Sequence, residues 1–134
     1  MKVWLWGYGT ALLVIGVLDA LWLGFIARDF YKREIGDLMA DTVRLGPAAV
    51  FYFGYPAGLV ALALTPMPAS MGAAAGKAAL LALVAYGVYD MTNMATLKQW
   101  SLKLALVDIG WGMLVAAVAG ALAFSVMRWA GGDK

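Results

Sequence analysis

The sequence predicts an all-α integral membrane protein: a four-transmembrane-helix bundle with a short interfacial amphipathic helix between spans one and two. Composition argues first. The 134 residues are 64% hydrophobic and only 13% charged, with a mean hydropathy of +0.82, and a soluble domain of this length needs a polar surface that these residues cannot supply. Pattern argues second. Apolar runs long enough to cross about 30 Å of hydrocarbon recur along the chain, without the period-two alternation of a membrane barrel.

The first span is placed at about 3–27. Its apolar run is too long for a cleavable signal, contains Asp19, and is followed by no small-x-small cleavage site, so it is read as a permanent span. From Arg28 to Arg44 the chain becomes strongly charged. Tyr31, Ile35, Leu38 and Thr42 recur there at helical spacing, and Asp29, Lys32, Arg33, Glu34, Asp37 and Asp41 cover the rest. That pattern predicts a short amphipathic helix lying in the interface, with a solvated connecting loop as the plainer alternative.

The second span is placed at about 45–65 and the third at about 73–95, joined by a tight turn from Thr65-Pro66-Met67-Pro68 to Gly72. The fourth is placed at about 102–128, and residues 1–134 form a single membrane domain. Trp4, Trp6 and Trp129 suit an aromatic belt at the terminal side. Gly54 and Gly58, Gly72 and Gly76, and the series Gly112, Ala116 and Gly120 place small residues one turn apart, which permits close helix approach.

Lys and Arg near the span ends set the expected orientation. Arg28, Lys32, Arg33, Arg44, Lys98 and Lys103 lie on one side, against Lys2, Lys77, Arg128 and Lys134 on the other. Six against four places both termini outside the cytoplasm of a bacterial inner membrane.

Absent residues narrow the chemistry. There is no Cys and no His, which removes disulfides, thiol nucleophiles, haem ligation by His or Cys, and Cys/His zinc sites. No cofactor or metal is expected. Acid–base chemistry must rest on Asp, Lys or Tyr. A formal charge of +2 is too small and too scattered to expect nucleic acid as a partner.

Against this background the aspartates inside the spans stand out. Asp19 lies nine residues before Arg28, roughly 13 Å along a helix. Asp90 lies eight before Lys98, roughly 12 Å, and Asp108 five after Lys103, roughly 7 Å. All three fall in the leaflet nearer the charged connections. A carboxylate within a span costs about 3 kcal/mol at the bilayer centre and less toward the interface, and is kept there when paired or functional.

Each aspartate has aromatic or polar company. Asp19 and Trp22 are three apart on one helix face, and Asp108 and Trp111 repeat the spacing on span four. Tyr86, Tyr89, Asp90 and Asn93 cluster on span three, while Tyr52 and Tyr55 reach a comparable depth on span two beside Pro56. These ten residues are the candidate ligand- or proton-binding site. Convergence of the carboxylates would favour a proton on at least one of them, or a bound cation. The plainer alternative makes the aspartates interhelical glue, accepting hydrogen bonds from Tyr, Trp and Asn.

The blocks Tyr89-Asp90-Met91-Thr92-Asn93 and Val107-Asp108-Ile109-Gly110-Trp111-Gly112 resemble the bacterial membrane family catalogued as domain of unknown function 2177. Leu18-Asp19-Ala20-Leu21-Trp22-Leu23-Gly24, Arg28-Asp29-Phe30-Tyr31, Phe51-Tyr52 and Tyr55 extend the resemblance over nearly the whole chain. It implies a small four-helix membrane protein and carries no activity with it.

Three functions compete. The first is binding or transport of a small or amphipathic ligand with proton or cation linkage, for which a homodimer and surrounding lipids are the expected partners. The second is an enzyme acting on a lipid, with paired carboxylates as acid and base, although no nucleophile elbow or phosphate loop is present. The third is an accessory subunit of a larger membrane complex.

Overall fold

The structure, a computed structural model, describes residues 2–131. It has α1 (Lys2–Leu21), α2 (Arg28–Ile35), α3 (Leu45–Ala63), α4 (Met71–Thr96) and α5 (Leu102–Ala130), with no strand among the described residues. Among the described residues four helices are long and apolar enough to cross a membrane: α1 with its continuation to Ile26, α3, α4 and α5.

The first span does not stay α-helical to its end. Trp22–Ile26 forms a π-helical turn that closes with Ala27 N–H donating to the Trp22 carbonyl at 2.7 Å. The same Ala27 then accepts from Tyr31 N–H at 3.0 Å and starts α2. A buried alanine thus redirects the chain from the bilayer to its surface.

The interfacial helix is shorter than its pattern suggests. Instead of running to Arg44, α2 ends at Ile35, a single 3₁₀ turn covers Gly36–Leu38, and 39–44 is not helical. Leu38 is 49% exposed and Val43 70%. The apolar stripe therefore loses its partner after Ile35, and Gly36 weakens continuation of the helix.

Inside the bundle α5 is central, packing most closely on α4 and α1, while α3 packs mainly on α1. Small side chains allow this. Ala74, Ala78 and Ala82 form a buried stripe on α4 facing Ala116, Ala119 and Ala123 of α5. A Cβ at Gly120 would stand 2.6 Å from the Ala78 Cβ, and one at Gly112 would stand 2.6 Å from the Tyr86 ring. The Gly112–Ala116–Gly120 series thus serves packing within the chain. A Cβ at Gly54, Gly58 or Gly76 would meet nothing within 4 Å.

Both short connections end in serine caps. Ser70 Oγ accepts from Ala73 N–H at 3.0 Å and Ser101 Oγ from Leu104 N–H at 3.0 Å, satisfying first-turn donors of α4 and α5. Ser101 Oγ also donates to Glu34 Oε1, and Gln99 Nε2 donates to the Glu34 carbonyl at 2.9 Å. The α4–α5 connection and α2 therefore meet at one end of the bundle, the end nearer the aspartates.

Candidate functional site

Two Asp-x-x-Trp segments dock face to face where α1 meets α5. The Trp22 and Trp111 rings stack with centroids 4.3 Å apart and planes 8° from parallel. Trp111 Nε1 donates to Asp19 Oδ1 at 2.9 Å. Trp22 Nε1 donates to the Tyr31 hydroxyl at 3.3 Å, and that hydroxyl donates to Asp108 Oδ1 at 2.6 Å. Each indole serves the aspartate of the other helix.

Asp19 is 5% exposed. It borders an open cleft of about 450 Å³, together with Gly16, Ala20, Leu23, Gly24 and Tyr52. Gly16, Ala20 and Gly24 share one face at four-residue spacing, so the cleft has a flat floor of small residues running into the π turn. Leu23 is largely exposed on the bundle surface, where the cleft opens sideways. The hydroxyl of Tyr52 lies within hydrogen-bonding reach of Asp19.

Asp90 is fully buried, and neither carboxylate oxygen receives a hydrogen bond from the described residues. Asp108 lies within hydrogen-bonding reach of it. The Trp100 indole N–H is close but unbonded. Tyr89 is 55% exposed with its ring edge-on to Trp100 at 5.7 Å, and Asn93 lies beside it. These two border the carboxylates from outside the bundle.

Tyr86 lies against Gly112, with Tyr55 edge-on at 6.3 Å. The Tyr55 hydroxyl is buried and unbonded, so these tyrosines act first as filling between α3, α4 and α5. Among the described residues no group of three or more His, Cys, Asp or Glu is placed to hold a metal.

Two residues outside the ten complete the cluster. Tyr31 carries the aromatic signal of the interfacial stripe, but its sequence position gives no hint that it turns inward onto Asp108. Burial, and next the Asp108 carboxylate accepting its hydrogen bond, push its phenol above the ordinary tyrosine range. Trp100 sits in a short polar connection and carries no periodic signal.

The family model described as Predicted membrane protein (DUF2177) matches residues 4–125. The chain belongs to this family. No curated protein and no solved structure matches the chain. The DUF2177 match spans every site residue from Asp19 to Trp111.

Proposed function

We propose that the chain is a membrane-embedded binding or transport protein that takes an amphipathic ligand sideways from the bilayer into the α1–α3 cleft, with proton linkage from the neighbouring carboxylates. The observation that carries this reading is Asp19, nearly buried at the edge of an apolar cleft yet fixed by Trp111. A carboxylate in that position suits a hydroxyl or amine head group, while the Gly16–Ala20–Gly24 face accommodates an apolar tail. The π turn directly beyond Asp19 fits a ligand site, since such turns are frequent at functional positions.

Native mass spectrometry of the gently purified protein tests it. Wild type should retain a specific lipid or lipid-like molecule that Asp19→Asn loses and that Ala20→Trp, which fills the cleft, also excludes. Bulk lipid alone, unchanged in both variants, would reject the cleft as a binding site. The same spectra report the oligomeric mass. Transport, as distinct from binding, calls for a second copy, and the outward Gly54–Gly58 face of α3 is where we place it.

We place the termini outside the cytoplasm of a bacterial inner membrane. The absence of cysteine makes labelling clean: a cysteine at Asp37 should react with a membrane-impermeant maleimide only after lysis, and one at Pro68 in intact spheroplasts. The reverse pattern would invert the topology.

A further inference from the structure

We infer that Asp90 and Asp108 together bind one proton, and that α2 is the cover that closes this proton site from the charged face of the membrane. The assignment concerns the proton half of the reading above and stands without the ligand half. Two carboxylates face each other within hydrogen-bonding reach. A carboxylate can only accept, so two ionised groups leave that contact without a donor. One proton removes the conflict: the carboxyl of Asp90 donates to Asp108, whose Oδ1 already accepts from Tyr31.

Burial sharpens the point. Asp90 is 0% exposed and both its oxygens lack a hydrogen-bond partner among the described residues, and an isolated buried carboxylate is neutralised before it is tolerated. The groups facing the pair do not supply a positive charge in its place. Tyr31 comes from α2, Tyr86 and Tyr89 from α4, Trp100 from the connection, and Asp19 from α1, close enough to Asp108 to interact electrostatically. Lys103 of α5 lies over the Phe30 ring, 5.8 Å from its centroid. A hard cation fits less well than a proton, because it seeks six or more oxygen ligands and no third acidic group joins the pair among the described residues.

The cover is equally concrete. Tyr31 on Asp108, Phe30 under Lys103, and Glu34 on Ser101 and Gln99 all hold α2 across the entrance. Ala27 on one side and the non-helical 39–44 on the other provide hinges. Lifting α2 removes the Tyr31 donor from Asp108 and opens the pair to water, which is the step that admits or releases the proton.

Infrared spectroscopy of chelator-washed, ligand-free protein in detergent at neutral pH tests the assignment. Wild type should show a protonated-carboxyl stretch that is lost in Asp90→Asn and kept in Asp19→Asn. In heavy water that band should shift at least about tenfold faster in Tyr31→Phe, the factor expected when a charge-assisted hydrogen bond is removed from the closed state. The amide in Asp90→Asn donates to Asp108 as the protonated acid does, so that variant should fold; the wild-type spectrum decides even if it does not. No carboxyl band in wild type, or a band that survives in Asp90→Asn, overturns the proton site. An unchanged exchange rate in Tyr31→Phe overturns the cover. Because ligand is absent and Asp19→Asn is the control, none of these results depends on the cleft.

Discussion

Trp22 and Trp111 lie face to face, 4.3 Å between ring centroids, and each gives its indole hydrogen to the other helix's side of the site. Asp19 receives its hydrogen bond directly from Trp111. Asp108 receives it through Tyr31. The stacked indoles therefore join two carboxylate environments of different character: Asp19 beside a cleft, and Asp108, half-buried, against the fully buried Asp90.

Removing one indole hydrogen should separate these environments. Trp111→Phe keeps a stacked ring but removes the indole donor from Asp19, leaving only the Tyr52 hydroxyl within reach, and should cost about 1–2 kcal/mol. Trp22→Phe should cost less than about 1 kcal/mol, since its 3.3 Å bond is long and Tyr31 still serves Asp108. Reversible unfolding in mixed detergent, followed by circular dichroism, reads both. Equal losses would contradict the two environments.

Glycines should divide by position. Gly120→Ala places a Cβ 2.6 Å from Ala78 with the Ala74 carbonyl oxygen at 3.2 Å, so α4 and α5 must move apart at about 1–3 kcal/mol. Gly54→Ala meets nothing within 4 Å and should stay within about 0.5 kcal/mol for the single chain. A fall in dimer mass for Gly54→Ala at unchanged melting would mark α3 as the face between copies.

Tyr31 should titrate late. Its folded phenol is raised, first by burial and then by the Asp108 hydrogen bond, so the unfolded chain releases this proton earlier than the folded one, at about pH 10. The sign follows: the stabilisation is fully present below about pH 10 and is lost as pH rises toward the folded value. Tyrosinate absorbance of wild type minus Tyr31→Phe should therefore show no ionisation at about pH 10, and Asp108→Asn should bring it to lower pH.

Anchoring of α2 can be read separately from capping of α5. Glu34→Ala removes the Ser101 contact and leaves Ser101 Oγ on Leu104 N–H. Amides of α2 should then exchange faster while the first turn of α5 is unchanged. Ser101→Ala should loosen both, with about 1 kcal/mol lost from the cap. Uniform protection in both variants would show that α2 is held by Tyr31, Phe30 and the Gln99 bond to the Glu34 carbonyl without the Ser101 contact.

Span number, their approximate ends and the shared depth of Asp19, Asp90 and Asp108 are determined by the sequence alone. Each span must enclose its own backbone polar groups in an apolar stretch, and that requirement is written locally in hydropathy. Residue spacing also put Asp19 with Trp22 and Asp108 with Trp111 on common faces. Partner choice was not legible. In Ala-, Gly- and Leu-rich helices the lipid-facing and helix-facing sides are equally apolar, as Leu59 in the core and Leu62 at the surface show, so nothing in the pattern sets the rotation of a helix about its axis. Only the packed bundle decides that Trp111 serves Asp19, that Gly112 receives the Tyr86 ring, and that Asp90 meets Asp108 without a donor. The inward turn of Tyr31 likewise depends on where α2 docks, and its anchors at Phe30, Tyr31 and Glu34 lie on α5 and the α4–α5 connection, more than sixty residues along the chain.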